Sequence, residues 1–289
     1  MKSIVYILII VFICGILVSA YPKSNSNQKQ VVEIQCVVNN PDSKLLDESC
    51  LIIKKRLNDN EVKNFDMSIN SQRGIIEITF NEKIDLKDIL PLLISKGEIE
   101  FYETYNRTDV IKLLDKGDRL FTLLNIASEN SEIDNSSPIL GFCKPEFTSQ
   151  VDSYNTQYYV SKPGEGINFV WGKDLNKNGD CYLYLLKHNP VLSKQQILEV
   201  SVNKVNESND LMITFNKDGA LVWQNLSKNN INKSIALVID KRVYFAPLLK
   251  NEIKDGKCSI SGNFTFKELT QLKSLITNGK LPLDFIIVK

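Results

Sequence analysis

The stretch Ser234-Ile-Ala-Leu-Val-Ile-Asp-Lys-Arg-Val-Tyr-Phe-Ala-Pro247, followed by Ile260-Ser-Gly-Asn-Phe-Thr-Phe-Lys-Glu-Leu269, decides how this chain is read. Ile235 to Ile239 is an apolar β-run that meets a polar turn, Asp240-Lys241-Arg242. Val243 to Phe245 then returns until Pro247 stops it, because proline has no N–H to give to a ladder. Two apolar runs bounded in this way predict a hairpin. Thr265 and Glu268 have the Thr-x-x-Glu spacing of a capping box, so a helix is expected from there. Leu269, Leu272, Leu275 and Ile276 recur at helical period and give it one apolar face. Gly279 ends the helix and Pro282 keeps it from resuming. The segment carries no catalytic cluster; it is scaffold.

Working outward, the chain has 289 residues, 35 Lys and Arg against 34 Asp and Glu, and a net charge of +1. That balance gives no electrostatic reason to expect nucleic acid or an acidic membrane surface as partner. At the N-terminus, Lys2 precedes an apolar run from Ile4 to Val18, and Val18-Ser19-Ala20 ends in small residues. The run is short for a bilayer, which needs roughly 20 helical residues, so a cleaved signal peptide and a short membrane anchor over residues 1–20 both fit. Cys14 lacks the small preceding residue of a lipoprotein signal. Either reading puts the rest of the chain outside the cytoplasm, where Cys36, Cys50, Cys143, Cys181 and Cys258 are free to form disulfides. Their number is odd, and no Cys-x-x-Cys spacing points to zinc or to a redox centre.

Downstream of a polar linker, Val31 to Val38 reads as a strand and Ser43 to about Asn60 as a helix capped by Asp42 or Ser43. Met67 to Ile69 and Ile75 to Phe80 read as strands around a turn. Leu86 to Ser95 reads as a helix that Pro91 should kink or break, and Glu98 to Tyr102 as a strand. Strand–helix–strand–strand–helix–strand is the split βαβ, or ferredoxin-like, order. Lys54-Lys55-Arg56 is expected to be the solvated side of the first helix. Beyond it, Asp109 to Ala127 is periodic enough for a helix and Ser128 to Pro138 is a polar loop. Residues up to Gly166 show little periodicity. Cys181 to Leu186 reads as a strand, Gln195 to Glu199 as a short helix, Leu211 to Phe215 as a strand, Ala220 to Leu226 as a helix carrying Trp223, and Leu281 to Val288 as a strand returning to the first sheet.

Candidate chemistry is sparse. His188 is the only histidine, and it has no serine or cysteine in a nucleophile context. Asp174-x-Asn176-x-Asn178-Gly179 resembles half a calcium loop, but the twelfth position is Leu185 where a bidentate Glu is needed; a polar turn is expected. Glu98 and Glu100 share a strand face without further support for acid–base work. No Gly-rich phosphate loop is present. Neither an enzyme, a metal nor a cofactor is expected. The sequons at Asn106, Asn206, Asn232 and Asn263 matter only in a eukaryotic secretory cell.

On particular motifs the chain strongly resembles the first periplasmic domain of the SecD/SecDF protein-export family. They are Ile235-Ala-Leu-Val-Ile-Asp240, Val243-Tyr-Phe-Ala-Pro247, Ile260-Ser-Gly-Asn-Phe-Thr265 and Asn278-Gly-Lys-Leu-Pro282. Weaker likenesses run back through Ile213 to Ala220, Pro190-Val-Leu192, Phe169-Val-Trp-Gly172, Phe101 to Tyr105, Gly97 to Phe101 and Ile52 to Asn58. The resemblance implies an α+β fold in which a ferredoxin-like base carries an inserted α+β head. The expected divisions are base at 30–104, a helical and loop insertion at 105–182, head at 183–262, and a helix and strand back to the base at 263–289. It implies a non-enzymatic module that binds unfolded or exported polypeptide, with Sec translocon components as a further candidate partner. SecD continues into more transmembrane helices whereas this sequence stops at Lys289, so no proton-driven activity is expected, and membrane contact only through the N-terminal segment. An envelope structural or interaction protein reusing the fold is the alternative. Trp223, Tyr244 and Phe245 are the candidate polypeptide contacts, against ordinary core packing. Asp240, Ala246, Pro247, Ser261, Gly262, Gly279 and Pro282 are the motif residues expected to shape turns and stops.

Overall fold

A computed structural model of the chain describes residues 29–289 apart from 113, 115–116, 127–132, 162–165, 206–207 and 263. The apolar run at Ile4 to Val18, the first part of the Ser128 to Pro138 loop, and the sequons at Asn206 and Asn263 lie outside the described residues.

Alternating Val32, Ile34 and Cys36 put one face of strand β1 (Gln30–Cys36) into a core, which is why this segment is extended. The strand ends two residues earlier than the apolar pattern predicts, and Val37 and Val38 are exposed. Asp42 caps helix α1 (Ser43–Asp59), its carboxylate accepting from Lys44 N at 2.8 Å. Strands β2 (Phe65–Asn70) and β3 (Ile75–Phe80) follow as a hairpin. Helix α2 (Leu86–Ile94) runs through Pro91 without a break at it: Pro91 lies in the second turn, and its carbonyl accepts from Ser95 N at 3.1 Å.

The predicted base order is corrected at its last strand. Strand β4 (Ile99–Glu103) does not join this sheet. Its place is taken by β14 (Phe285–Ile287), which pairs antiparallel with β1 and gives the order β14-β1-β3-β2. The return of the chain's end to the first sheet, as the sequence predicts, thus closes the ferredoxin-like base. Everything between α2 and β14 is inserted into it.

Strand β4 instead enters a seven-stranded sheet ordered β5-β7-β6-β12-β11-β4-β8. Its members are β5 (Ile139–Cys143), β6 (Ile167–Leu175), β7 (Cys181–Lys187), β8 (Leu192–Ser193), β11 (Ile235–Ile239) and β12 (Arg242–Phe245). The last two form the predicted hairpin. The turn is shorter than expected: Asp240 and Lys241 alone occupy it, at φ 50° and 62°. Two successive left-handed residues are what a two-residue hairpin demands. All five residues of β11 are buried, which is why its pattern is a continuous apolar run.

Between β4 and β7, the helix expected over Asp109 to Ala127 is two short pieces, α3 (Arg107–Ile111) and α4 (Leu120–Leu123). They pack with β5, β6, β7 and helix α5 (Thr148–Ser161) around a separate core of Val110, Leu120, Leu140, Val151, Trp171 and Leu183. A third sheet, β13-β10-β9, is built from β9 (Ile197–Val205), β10 (Ser208–Phe215) and β13 (Lys257–Ser261). The short helix expected at Gln195 to Glu199 is a single tight turn before β9. Ser193 and Gln196 cap each other there, and the strand starts at Ile197. Helix α6 (Lys217–Asn229) covers this sheet with Trp223 and Leu226.

Helix α7 (Phe266–Asn278) begins at the predicted capping box: Thr265 N donates to Glu268 Oε2 at 2.8 Å, and Glu268 N to Thr265 Oγ1 at 3.2 Å. Its Leu269, Leu272, Leu275 and Ile276 are all buried, each contributing roughly 1.5–3 kcal/mol. The helix touches α1 and α2 on one side and β9 and β10 on the other. It therefore belongs to base and head at once.

Candidate functional site

Two of the motif residues, Asp240 and Gly279, come together where α7, α1 and the β11–β12 turn meet. Asp240 turns its carboxylate back onto the chain entering β4: Oδ2 accepts from Gly97 N at 3.1 Å and Oδ1 from Glu98 N at 2.9 Å. Its own N–H donates to Glu98 O at 3.0 Å. Gly279 holds φ at 85° and turns its carbonyl inward. Between them lies Arg56.

Arg56 corrects the reading of Lys54-Lys55-Arg56 as a solvated run: it is 0% exposed. Its guanidinium donates to Ser95 O at 2.6 Å, Gly279 O at 2.7 Å, Lys96 O at 3.1 Å and, at 3.4 Å, Leu92 O. These are carbonyls at the C-terminal ends of α2 and α7, where helix dipoles and unpaired acceptors favour a cation. Burial pulls the Arg56 pKa down to about 10, and the Asp240 carboxylate works the other way; the group stays charged at neutral pH. Gly97 has no alternative here. Its φ is 77°, and a Cβ would lie 2.5 Å from Arg56 Nη2. The site closes with Ser274 Oγ donating to Arg56 O and an ion pair between Lys280 and Glu98. A buried arginine flanked by lysines gives no signal in periodicity. The clue available was Arg56 standing four residues from Ile52 and three from Ile53, on the side of α1 that these residues bury.

Chemically this cluster can fasten one element to another. Its Ser274 hydroxyl is turned to the Arg56 carbonyl and its Lys280 amine is paired with Glu98, and among the described residues no group of three or more His, Cys, Asp or Glu could hold a metal ion. His188 is exposed past the end of β7. Asn176 makes the Asp174 to Asp180 segment a polar turn by accepting from Asn178 N and Asp180 N, both at 2.9 Å. A depression of about 470 Å³ at the far end of the base is lined by Gln35, Cys36, Val38, Asn39, Asn40, Gln72 and Arg73, with Arg73 its one charged side chain.

The three candidate polypeptide contacts separate. Trp223 is withdrawn as a contact: it is 2% exposed, its indole N–H donates to Lys257 O at 2.9 Å, and it packs on Phe215 and Phe101 at centroid distances of 5.3 and 5.8 Å. A ring enclosed in this way has no face to offer. Tyr244 and Phe245 on β12 are half-buried. Lys173 Nζ stands 5.0 Å over the Tyr244 ring, and burial, helped by Asp240 and Asp174, pushes the Tyr244 phenol up to about 12. Ala246 packs beside β11, and Pro247 O accepts from Ile235 N at 3.3 Å. Ser261 and Gly262 lie apart from these, exposed at the end of β13, and Pro282 is half-buried on the way to β14.

Fold and site together define an α+β base carrying an inserted head, with a fastening at their junction. Residues 171–283 match the family described as SecDF, P1 head subdomain. The chain is 34% identical over 108 residues to the protein translocase subunit SecD of Calditerrivibrio nitroreducens, covering 37% of this chain and 21% of that protein. It is 30% identical over 117 residues to SecD of Rickettsia conorii, covering 40% and 22%. The match thus spans about a fifth of the length of these relatives. By structure it is similar to SecDF in a super-membrane-facing form, with a TM-score of 0.54 at 17% identity, over 99% of this chain and 33% of that one. It is also similar to a membrane component SecDF that enhances protein export, with a TM-score of 0.51 at 17% identity, over 90% of this chain and 98% of that one. By sequence the chain is similar to the SecDF P1 head over residues 171–283, its likeness to the SecDF structures is one of fold, and the fold is α+β.

Proposed function

We propose that this chain is a SecD-like extracytoplasmic module that binds translocating or unfolded polypeptide as an accessory to Sec protein export, with no catalysis or proton-driven activity of its own. The observation that carries this reading is the head match at residues 171–283 set inside a SecDF-like fold that takes in nearly the whole chain. The step from fold to role is analogy with the relatives. Among the described residues no helix is long and apolar enough to cross a membrane; the apolar run at Ile4 to Val18 is the proposed signal peptide or anchor. The reading is supported by half-buried Tyr244 and Phe245 and by Leu221, Ile231 and Leu248, which the head exposes to solvent. Large apolar side chains left in water suit capture of extended, apolar segments.

A photo-crosslinking amino acid at Phe245 or Leu221 of the full chain, presented with a stalled export intermediate, should give an adduct with the translocating polypeptide. The same probe at Asp66, on the far strand of the base, should not. Absence of any adduct with client or Sec component from the head positions overturns the reading.

A further inference from the structure

Cys143 and Cys181 stand directly opposite each other, as the last residue of β5 and the first of β7 in an antiparallel ladder. Both are buried, Cys143 2% and Cys181 8% exposed, and both face the core of Leu140, Val151 and Leu183. The neighbouring pair fixes the type of pairing. Phe142 N donates to Leu124 O at 2.9 Å and Phe142 O accepts from Asn125 Nδ2 at 3.2 Å, so its backbone polar groups point away from β7. The Phe142–Tyr182 pair therefore lacks ladder bonds, and Cys143–Cys181 falls at a hydrogen-bonded position. Cα atoms at such positions are about 5.5 Å apart, inside the roughly 4.4–6.8 Å window of disulfides. Their Cβ atoms stand wider than a relaxed disulfide needs.

We propose that Cys143 and Cys181 are a redox-reversible cross-strand disulfide site. The oxidant is a small-molecule disulfide such as oxidised glutathione. Cys181, the more exposed, attacks as thiolate and forms a mixed disulfide with release of one glutathione thiol. Cys143 then displaces the second, so one disulfide and two protein thiols become one protein disulfide and two glutathione thiols. Burial raises both thiols, Cys143 to about 12, while Arg242 draws Cys181 down in part; closure is accordingly slow and begins at Cys181. A bridge at this position carries strain, which makes it easier to reduce than a relaxed structural disulfide. When closed, it ties the edge strand β5 to β7 around the segment holding α5 and β6. The remaining cysteines have no such partner opposite them in a described ladder. The export role is not needed for this inference; an oxidising compartment is.

The test uses purified full chain equilibrated in buffers of stepped reduced-to-oxidised glutathione ratio, then acid-quenched, alkylated and digested. The expected result is a tryptic peptide carrying Cys143 joined to the one carrying Cys181, lighter by two hydrogens than their sum, rising as oxidised glutathione rises and lost when the ratio is reversed. Both cysteines fully alkylated at every ratio, stable glutathione adducts on each, or linkage of either to another cysteine overturns the proposal. Cys143→Ser and Cys181→Ser each remove the linked peptide, and an unchanged circular dichroism spectrum shows that removal is not unfolding. Failure of the crosslinking experiment on the head leaves this result untouched.

Discussion

Arg56 and Arg107 both carry a guanidinium inside the molecule, and both aim it at backbone carbonyls. Arg107 donates to Leu140 O at 3.0 Å, to Ile126 O, and at 3.4 Å to Asn135 Oδ1; all lie within 33 residues of it. Burial lowers its pKa as it lowers that of Arg56. Arg56 reaches from α1 to Gly279, 223 residues away, and to the end of α2. One arginine organises a local loop cluster; the other joins the start of the fold to its end. Burying an arginine costs desolvation wherever it is done, so the difference is in what each would release if removed.

The largest effect should come from Arg56. Arg56→Leu leaves the carbonyls of Ser95 and Gly279 without a donor among the described residues, at roughly 1–3 kcal/mol each, while Lys96 O keeps the N–H of Leu281 at 2.7 Å; urea unfolding should show a loss of about 4 kcal/mol. Arg56→Lys should recover little, because an ammonium cannot span four acceptors in a fork. A loss below about 1 kcal/mol would break the comparison.

Arg107→Leu should act more locally. Amide exchange should quicken over α3, α4 and β5 while the base sheet keeps its protection, with a global loss of about 2 kcal/mol. Equal loss of protection in β1 and β3 would mean that the inserted region and the base unfold as one unit.

Glu103 gives the smallest and sharpest test, since it sits where head and insertion meet. Burial alone would raise its pKa, but Asn230 Nδ2 at 2.9 Å and Lys187 Nζ at 3.0 Å outweigh that and hold it below its ordinary value. A carboxylate depressed on folding adds stability above its unfolded pKa of about 4.3 and loses it as pH falls through the lower folded value. Glu103→Gln should therefore flatten the acid limb of the stability–pH curve, with a loss near pH 7 of about 0.5 kcal/mol. An unchanged acid limb would remove Glu103 from the account.

What the sequence made legible follows from the same contrast. Helix α7 was readable because its signals are local: a capping box at Thr265 and Glu268, an apolar face four residues wide, a glycine at the end. The β11–β12 hairpin was readable because a buried strand is a plain apolar run. Strand β4 was readable as a strand but not as to its sheet, because its partner β11 lies about 130 residues on and nothing near Ile99 specifies it. Arg56 was hidden by Lys54 and Lys55, since charge runs are ordinarily solvated. Trp223 looked available because an indole serves equally as anchor and as core; its burial depends on Phe101 and Phe215, remote in sequence. The α5 and β5 region had no strong period, and its order comes from contacts among short elements.

The base sheet keeps its first strand and its last strand side by side, with all other elements between them. This has a consequence for a chain emerging from its N-terminus. Strands β1, β2 and β3 can pair as soon as they appear, leaving the β1 edge open. That edge stays unpaired until residues 285–287 arrive, and loop closure over the whole insertion must precede the pairing. The inserted region has its own cores and is able to order first. Assembly would then run from the inside outward, the base being the last part to become whole.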